Sequence, residues 1–419
     1  MKNKFYKKYI RIPPNESIDI RTIMPIIHHP LFQRLLRISQ LGTTLTVFPG
    51  ANHNRFEHAM GVYGKAMRFC QKMAQEGFLT EFEAKNVPLF GLLHDIGHGP
   101  FSHVIEELTP FDHDKNGLKI VNQLNAEIKK AGGDPKFIKK LFARKSQLYR
   151  IIMDKNVGMD KLDYLERDVY HTGFGQRPDI ESLFNYLVFL KGKLVIDKKS
   201  LEAAKQMQRL YIYMYKEVHL HKSSLIASRF LQKMVMILLD LDNIDPKDLW
   251  LMNDEELMAK IYTHSDVRLK FLYNSYRNRE LPRTGLVIRL KDREYNERIA
   301  GKEIRVEGEN REFFTRFLKH SSPKELGILE EAVAKSIGVK SYRIVIVPTL
   351  TPWRFAPEDI LYHDEGKVFS LKANYPQYFD ALKAELNDYM AVRVCIVGNR
   401  RLINKNYKKV LAVIRQHLK

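Results

Sequence analysis

The sequence sets a histidine beside an aspartate, His94-Asp95, inside the segment GLLHDIGHGPFSH. His98 and His103 follow in the same segment, His58 precedes it in NRFEHAMGV, and Asp160 comes later in VGMDKLDYLERD. An imidazole next to a carboxylate suits a hard or borderline divalent cation, because both donate a lone pair without rearranging the backbone. At a helix end, just ahead of Gly97 and Gly99, both side chains can project into one cleft. A histidine from an earlier helix and an aspartate from a later one complete an N₂O₂ set: His58, His94, Asp95 and Asp160. Such a set leaves positions open for water and substrate, as a catalytic ion needs and a structural one does not. A His-Asp dipeptide alone is a common accident. An early histidine, the dyad followed by glycines, and the later aspartate, in that order, are not.

Asp160, Tyr164 and Asp168 are spaced i, i+4, i+8 and share one helical face, which Lys161 flanks. Leu162, Leu165 and Val169 take the other side. One helix thereby offers a metal ligand, a phosphate-binding cation and two groups able to read hydroxyls.

The elements that must hold these residues are mostly helical. Residues 1–30 read as an extended arm interrupted by Pro13, Pro14, Pro25 and Pro30. Residues 55–77 carry Phe56, Met60, Tyr63, Met67, Cys70 and Met73 at helical spacing. Residues 82–95 are a second helix, stopped by Gly97, Gly99 and Pro100. Phe101 is expected to start another, and 157–171 a further one closed by Gly173. Residues 186–197 read as a small β-hairpin with Gly192 at its turn, followed by long helices over 199–241 and 254–278. Beyond Pro282, residues 285–290, 342–347 and 392–397 are short β-branched runs between helical stretches. The expected fold is mainly α, with an arm (1–30), a helical core bearing the hairpin (31–281) and a mixed α/β C-terminal region (282–419).

Lys plus Arg number 69 and Asp plus Glu 49 in 419 residues, so the formal charge is 69 − 49 = +20. A surplus of that size attracts polyanions such as nucleotides, nucleic acid or anionic membranes, and it equally describes a generally basic, solvated surface. Cys70 and Cys395 are the two cysteines, with no Cys-x-x-Cys pair, so a disulfide framework or cysteine zinc site is not expected. The basic N-terminus has no apolar run of signal length behind it, and no stretch is long enough to span a bilayer. A cytoplasmic protein without a membrane partner is expected.

At these residues the sequence resembles the HD-domain superfamily, and within it the deoxynucleoside triphosphate triphosphohydrolases, both dGTPase-like and SAM-and-HD-domain-like. FPGANHNRFEHAMGV, GLLHDIGHGPFSH, VGMDKLDYLERDVYHTGF and the shorter LFQRLLRISQLG carry the likeness, and MYKEVHLHK extends it more weakly. The resemblance implies an HD-domain helical core in which His58, His94, Asp95 and Asp160 are the metal ligands. Arg55 would contact the α-phosphate, and His98 would face the phosphates. His103 would be the general acid that protonates the leaving 5′-oxygen, oriented by Glu106 where the family usually has Asp. Lys161 and Tyr164 would bind the phosphate tail. Gln40 and Asp168 would bond the sugar 3′-hydroxyl, and Leu41 would crowd the 2′ position against ribose. His113 resembles a further active-site histidine. The family's phosphate-tail arginine has no clear counterpart, and Lys216 and Lys222 are the candidates for its place.

The reaction implied is hydrolysis of a deoxynucleoside triphosphate to the deoxynucleoside and inorganic triphosphate. The cation would polarise the α-phosphate and lower the pKa of a bound water, while His103 supplies the proton the departing alkoxide needs. The N₂O₂ set accommodates Fe, Mn, Zn, Co or Ni, and Mg²⁺ could accompany the triphosphate. The resemblance further implies a homo-oligomer (dimer, tetramer or hexamer) and an allosteric nucleotide between subunits. Two other readings stand beside this one. The same site would serve a phosphohydrolase acting on another nucleotide or on a nucleic-acid phosphate ester. The charge, with Lys139-Lys140, Arg400-Arg401 and Lys408-Lys409, also fits a protein that chiefly binds single-stranded nucleic acid.

Overall fold

The computed structural model describes residues 8–14, 16–109, 112–291, 304–350, 356–387 and 390–418. Residues 1–7 and 15 of the arm, 110–111, and 292–303, 351–355, 388–389 and 419 of the C-terminal region lie outside the described residues.

The helices Arg55–Gln75 and Glu81–Leu93 form the centre of the fold. Asn54 caps the first, and a Thr80–Glu83 capping box starts the second, so each helix begins where a side chain satisfies its free N–H groups. His113–Gln123, Pro135–Phe142, Tyr149–Met153 and Met159–Thr172 pack around this pair. Phe69, Phe90, Leu93, Ile152 and Leu162 are fully buried between them. Gly173, at φ 68°, ends the last helix in the left-handed setting that glycine adopts without penalty. The arm is paired rather than simply extended. Tyr9–Ile12 and Glu16–Asp19 form an antiparallel hairpin whose Ile12 and Ile18 join the core.

Three local expectations are corrected. Phe101 does not open a helix: Phe101 and Ser102 both have φ 55°, and only His103–Glu106 is helical. That setting is costly for residues with side chains. It is held by the Phe101 N–H donating to Asp254 (2.6 Å) and the Ser102 hydroxyl donating to the Ser39 carbonyl (2.7 Å). The 199–241 stretch is two helices, Leu201–Met214 and Lys222–Asp242, joined by a π turn at Tyr215–His219. The 254–278 stretch divides into Asp254–Thr263 and Val267–Arg277, because Asp266 caps the second helix by accepting from the Arg268 N–H at 2.8 Å.

Leu187–Leu190 and Lys193–Asp197 form the expected hairpin, with Lys191 and Gly192 both at positive φ as a two-residue turn requires. Leu361–Asp364 adds to Lys193–Asp197 in parallel, and Lys367–Ser370 completes a four-stranded sheet. The second sheet has the order Arg305–Glu309, Arg283–Leu290, Ala391–Ile396, Ile344–Thr349. Residues after 282 therefore enter both sheets, and Leu371 and Phe379 are buried with the helical core. Among the described residues no helix is long and apolar enough to cross a membrane.

Glu330 ties the second sheet to the Lys222–Asp242 helix. It is 1% exposed, and its carboxylate meets Lys233 at 2.6 Å, Arg229 at 3.3 Å and the Ile346 N–H at 2.9 Å. Glu330→Ala leaves two buried cations without their anion, a loss of about 3–5 kcal/mol. Denaturant unfolding is expected to show that loss, whereas Glu331→Ala next to it should change stability by less than about 0.5 kcal/mol.

Candidate active site

Three helix ends meet at one buried point. His58 lies in the first turn of Arg55–Gln75, His94 and Asp95 at the end of Glu81–Leu93, and Asp160 in the first turn of Met159–Thr172. His58 Nε2 is 3.1 Å from Asp160 and 3.5 Å from Asp95, and His94 Nε2 is 3.6 Å and 3.4 Å from the same two carboxylates. The four residues expected to share an ion are thus together. Both imidazoles donate through Nδ1, His94 to the Gly91 carbonyl at 2.7 Å and His58 to Asp163 at 2.8 Å, which turns each Nε2 inward. Those two Nε2 atoms are buried and have no hydrogen-bond partner. Two unpartnered imidazole nitrogens facing two carboxylates form a donor set that fits a divalent cation.

The same proximity sets the charges. Burial opposes the charged form of His58, but its contacts with Asp160 and Asp163 outweigh burial and raise it to about 9. His94 is raised against burial by the Asp95 charge. Asp95 is held well below the usual carboxylate range, since Arg55 and the imidazoles overcome its burial. Arg55 pairs directly with Asp95 and donates to the Ser102 hydroxyl at 2.9 Å. Any other anion would have to compete with Asp95 for this guanidinium.

A second cluster adjoins the first through His98, whose Nε2 is 3.5 Å from Asp95. The His98 and His113 rings stack at 4.1 Å, and His103 stands edge-on to His98 at 4.8 Å. Glu106 joins the group by accepting from His103 Nδ1 at 2.7 Å and from His113 Nδ1 at 2.9 Å. The close approach requires glycine at 97, where a Cβ would collide with the His113 carbonyl and the Gly117 backbone. Burial, together with Arg55 and His113, pushes His98 well down, so it is neutral. Burial also works against the ionised form of Glu106, yet its two imidazole bonds hold it far below the usual range. His103 is the open end, with 67% of its side chain exposed.

A further buried group, about two turns along the same helix from Asp160, is built around Asp168. Its Oδ1 bonds His53 Nε2 at 2.9 Å, and its Oδ2 lies 3.4 Å from His219 Nε2. Gln40 is tied to His53, its backbone N–H donating to the His53 carbonyl at 3.1 Å. Gln40 Oε1 and Asp168 Oδ2 are both buried without a hydrogen-bond partner. Leu41, half-buried, packs on the helical core, as does Tyr164. The Lys161 ammonium lies 3.4 Å from the centre of the Tyr211 ring, and burial brings it down to about 7. Lys216 is paired with Glu385 at 2.9 Å, while Lys222 is exposed. The basic pairs noted in the sequence lie on separate elements: Lys139-Lys140 on Pro135–Phe142, Lys408-Lys409 on Tyr407–His417, and Arg400-Arg401 at the start of Arg401–Lys405.

Three residues of this site carried no expectation. His53 and His219 touch Asp168 from a loop and from the π turn, where no periodicity marks them. Asp163 supports His58, and its signal was present, since it lies three residues after Asp160 on the same helix.

Residues 55–168 match the family model for the HD domain, and residues 179–313 match that for the HD associated region. An uncharacterized protein of Methanocaldococcus jannaschii is 34% identical over 241 residues, covering 56% of this chain and 51% of that protein. The deoxynucleoside triphosphate triphosphohydrolase SAMHD1 homolog of Dictyostelium discoideum is 30% identical over 294 residues, 62% of this chain and 56% of the relative. The chain spans about half the length of these curated relatives. A solved phosphohydrolase of Bacteroides thetaiotaomicron superposes with a TM-score of 0.71 at 21% identity, over 94% of this chain and 100% of that one. A likeness at that identity is one of fold.

Without a cation, a proton rests on His58 up to about pH 9. Metal uptake must displace it, so affinity is expected to rise at least about tenfold per pH unit up to about pH 9 and to level off above. Titration of Mn²⁺ into metal-stripped protein in buffers of different ionisation enthalpy should show at least one proton released per ion. Uptake with no proton release would contradict this arrangement.

Proposed function

The chain belongs to the HD-domain family, and on that footing we propose that it is a metal-dependent phosphohydrolase converting a deoxynucleoside triphosphate to the deoxynucleoside and inorganic triphosphate. One observation carries this reading. Buried atoms without hydrogen-bond partners occur at both ends of one helix face: His58 and His94 Nε2 beside Asp160, and Gln40 Oε1 with Asp168 Oδ2 eight residues on. Eight helical residues span roughly 12 Å. That layout fits a ligand with phosphates at one end and a hydroxyl donor at the other.

Held by His58, His94, Asp95 and Asp160, a divalent transition metal (Fe, Mn, Zn, Co or Ni) would supply Lewis-acid polarisation of the α-phosphate. The remaining chemistry belongs to the chain's own groups. Arg55 turns from Asp95 to the α-phosphate, and neutral His98 donates to a phosphate oxygen without adding charge. Lys161 and Tyr164 receive the phosphate tail, and anion binding protonates a lysine poised near neutrality. Water attacks the α-phosphorus as the bond from phosphorus to the 5′-oxygen breaks. His103 gives the leaving oxygen its proton and is recharged from solvent, to which it is open. Ionised Glu106 fixes the Nδ1–H of both His103 and His113, so that the Nε2 side of His103 faces the substrate. Asp168 accepts the 3′-hydroxyl proton, the Gln40 amide bonds the same hydroxyl, and Leu41 crowds the 2′ position. Mg²⁺ accompanying the triphosphate, a homo-oligomeric assembly and a nucleotide effector belong to the same proposal through the family resemblance.

The test is product analysis with each deoxynucleotide and ribonucleotide, singly and in mixtures. Inorganic triphosphate is the expected product. His94→Ala is expected to abolish its release, and His103→Gln to slow it about 10²–10⁴-fold. Glu106→Gln is expected to slow it less. Monophosphate or diphosphate products, or native turnover by His94→Ala, would overturn the proposal.

A further inference from the structure

Behind His58, on the side away from the cleft, lies a carboxylate with no place in the reaction sequence. Asp163 is fully buried, and all of its bonding capacity is used. Its Oδ2 accepts from His58 Nδ1 at 2.8 Å and from Arg167 Nε at 3.0 Å, and its Oδ1 from Lys65 at 2.9 Å and Arg167 Nη2 at 2.8 Å. Two buried cations, Lys65 and Arg167, serve this one carboxylate. They are anchored in turn: Lys65 pairs with Glu16 of the N-terminal hairpin and lies 3.3 Å from Glu166, and Arg167 donates to the Pro13 carbonyl. Glycine at 61 makes room, since a Cβ there would strike the Asp163 carboxylate and the Arg167 guanidinium.

We infer that Asp163 is a positioning residue for the cation site, fixing His58 with its proton on Nδ1 and Nε2 turned to the ion, and that Lys65 and Arg167 hold it there. The inference rests on the metal-dependent reading above and adds to it a residue outside the four ligands. A carboxylate behind a ligating imidazole fixes the ring's tautomer and orientation and makes it a better donor; its loss typically costs about 10- to 100-fold in metal affinity. The bond runs to Nδ1, the atom that selects the tautomer, whereas an ion pair of purely structural use has no need of it. The same carboxylate connects the ion, through Lys65 and Arg167, to the hairpin at residues 9–19.

The experiment titrates Co²⁺ into the metal-stripped protein, reading affinity by calorimetry and coordination by the visible absorption of the bound ion. His94→Ala identifies the site: it should lose the Co²⁺ that the wild type binds. Asp163→Asn is expected to bind Co²⁺ about 10- to 100-fold more weakly and to shift its visible bands. Gly61→Ala displaces the Asp163 carboxylate without altering any charge and should do the same. Gly64→Ala, one turn on, meets only Ile18 at 3.2 Å and should leave both readouts unchanged. If Asp163→Asn lacks native circular dichroism, Gly61→Ala decides. Wild-type affinity and unchanged bands in a folded Asp163→Asn or Gly61→Ala protein overturn the inference. Equal Co²⁺ binding by wild type and His94→Ala instead removes the cation-centre reading on which it stands.

Discussion

Buried Asp95 and partly exposed Asp160 stand 3.1–3.6 Å from the inward nitrogens of two imidazoles and need positive charge, and most of the site can be understood as ways of supplying it. Asp95 takes a guanidinium from Arg55, and His58 and His94 take up protons when nothing stronger is present. A proton is a poor substitute for a dication here, because it can lie between only two of these groups, whereas a dication could take donors from several at once. The inward aim of those Nε2 atoms is set from outside the cleft, by the Gly91 carbonyl and by Asp163. The centre is therefore a balance of charges across three helix ends, and the surrounding fold serves to keep those ends from moving apart.

The irregular parts of the backbone lie where that requirement is strictest. The segment from His94 to His103 packs the His94-Asp95 pair, two glycines and two further histidines into ten residues, and it runs through two left-handed residues to do so. Cross-links from Ser39 and Asp254 hold it open. The π turn at Tyr215–His219 is the second irregular piece, and it sets His219 against Asp168. Both would be unfavourable in isolation and persist because neighbours over-determine them.

The meeting of His58, His94, Asp95 and Asp160 was legible because cation chemistry demands particular residue types, and their order along the chain is improbable by chance. The helices 55–75 and 159–172 were legible because burial imposes a 3.6-residue period and because Gly173 marks the end of the second. The break at residues 215–221 was hidden, since a π turn adds a residue without changing composition. Phe101 read as a helix start because only long-range bonds, from residues far away in sequence, reveal its strained setting. His53 and His219 escaped for the same reason: a histidine's role is set by the partner that folding brings to it. Asp163 was overlooked although its spacing was visible, because the helix face was read for ligands rather than for what stands behind them.

The parallel pairing of Leu361–Asp364 with Lys193–Asp197 has a consequence for synthesis. Until residue 361 leaves the ribosome, one edge of the Leu187–Asp197 hairpin has no neighbour. The gap between 197 and 361 is 361 − 197 = 164 residues, and at about 5–20 residues per second it lasts roughly 10–30 s. For that interval Val195 and Ile196, buried in the finished fold, belong to a bare strand edge of the kind that invites pairing with other chains. Efficient production of the protein is thus tied to whatever shields a nascent strand, a dependence that the stability of the completed molecule conceals.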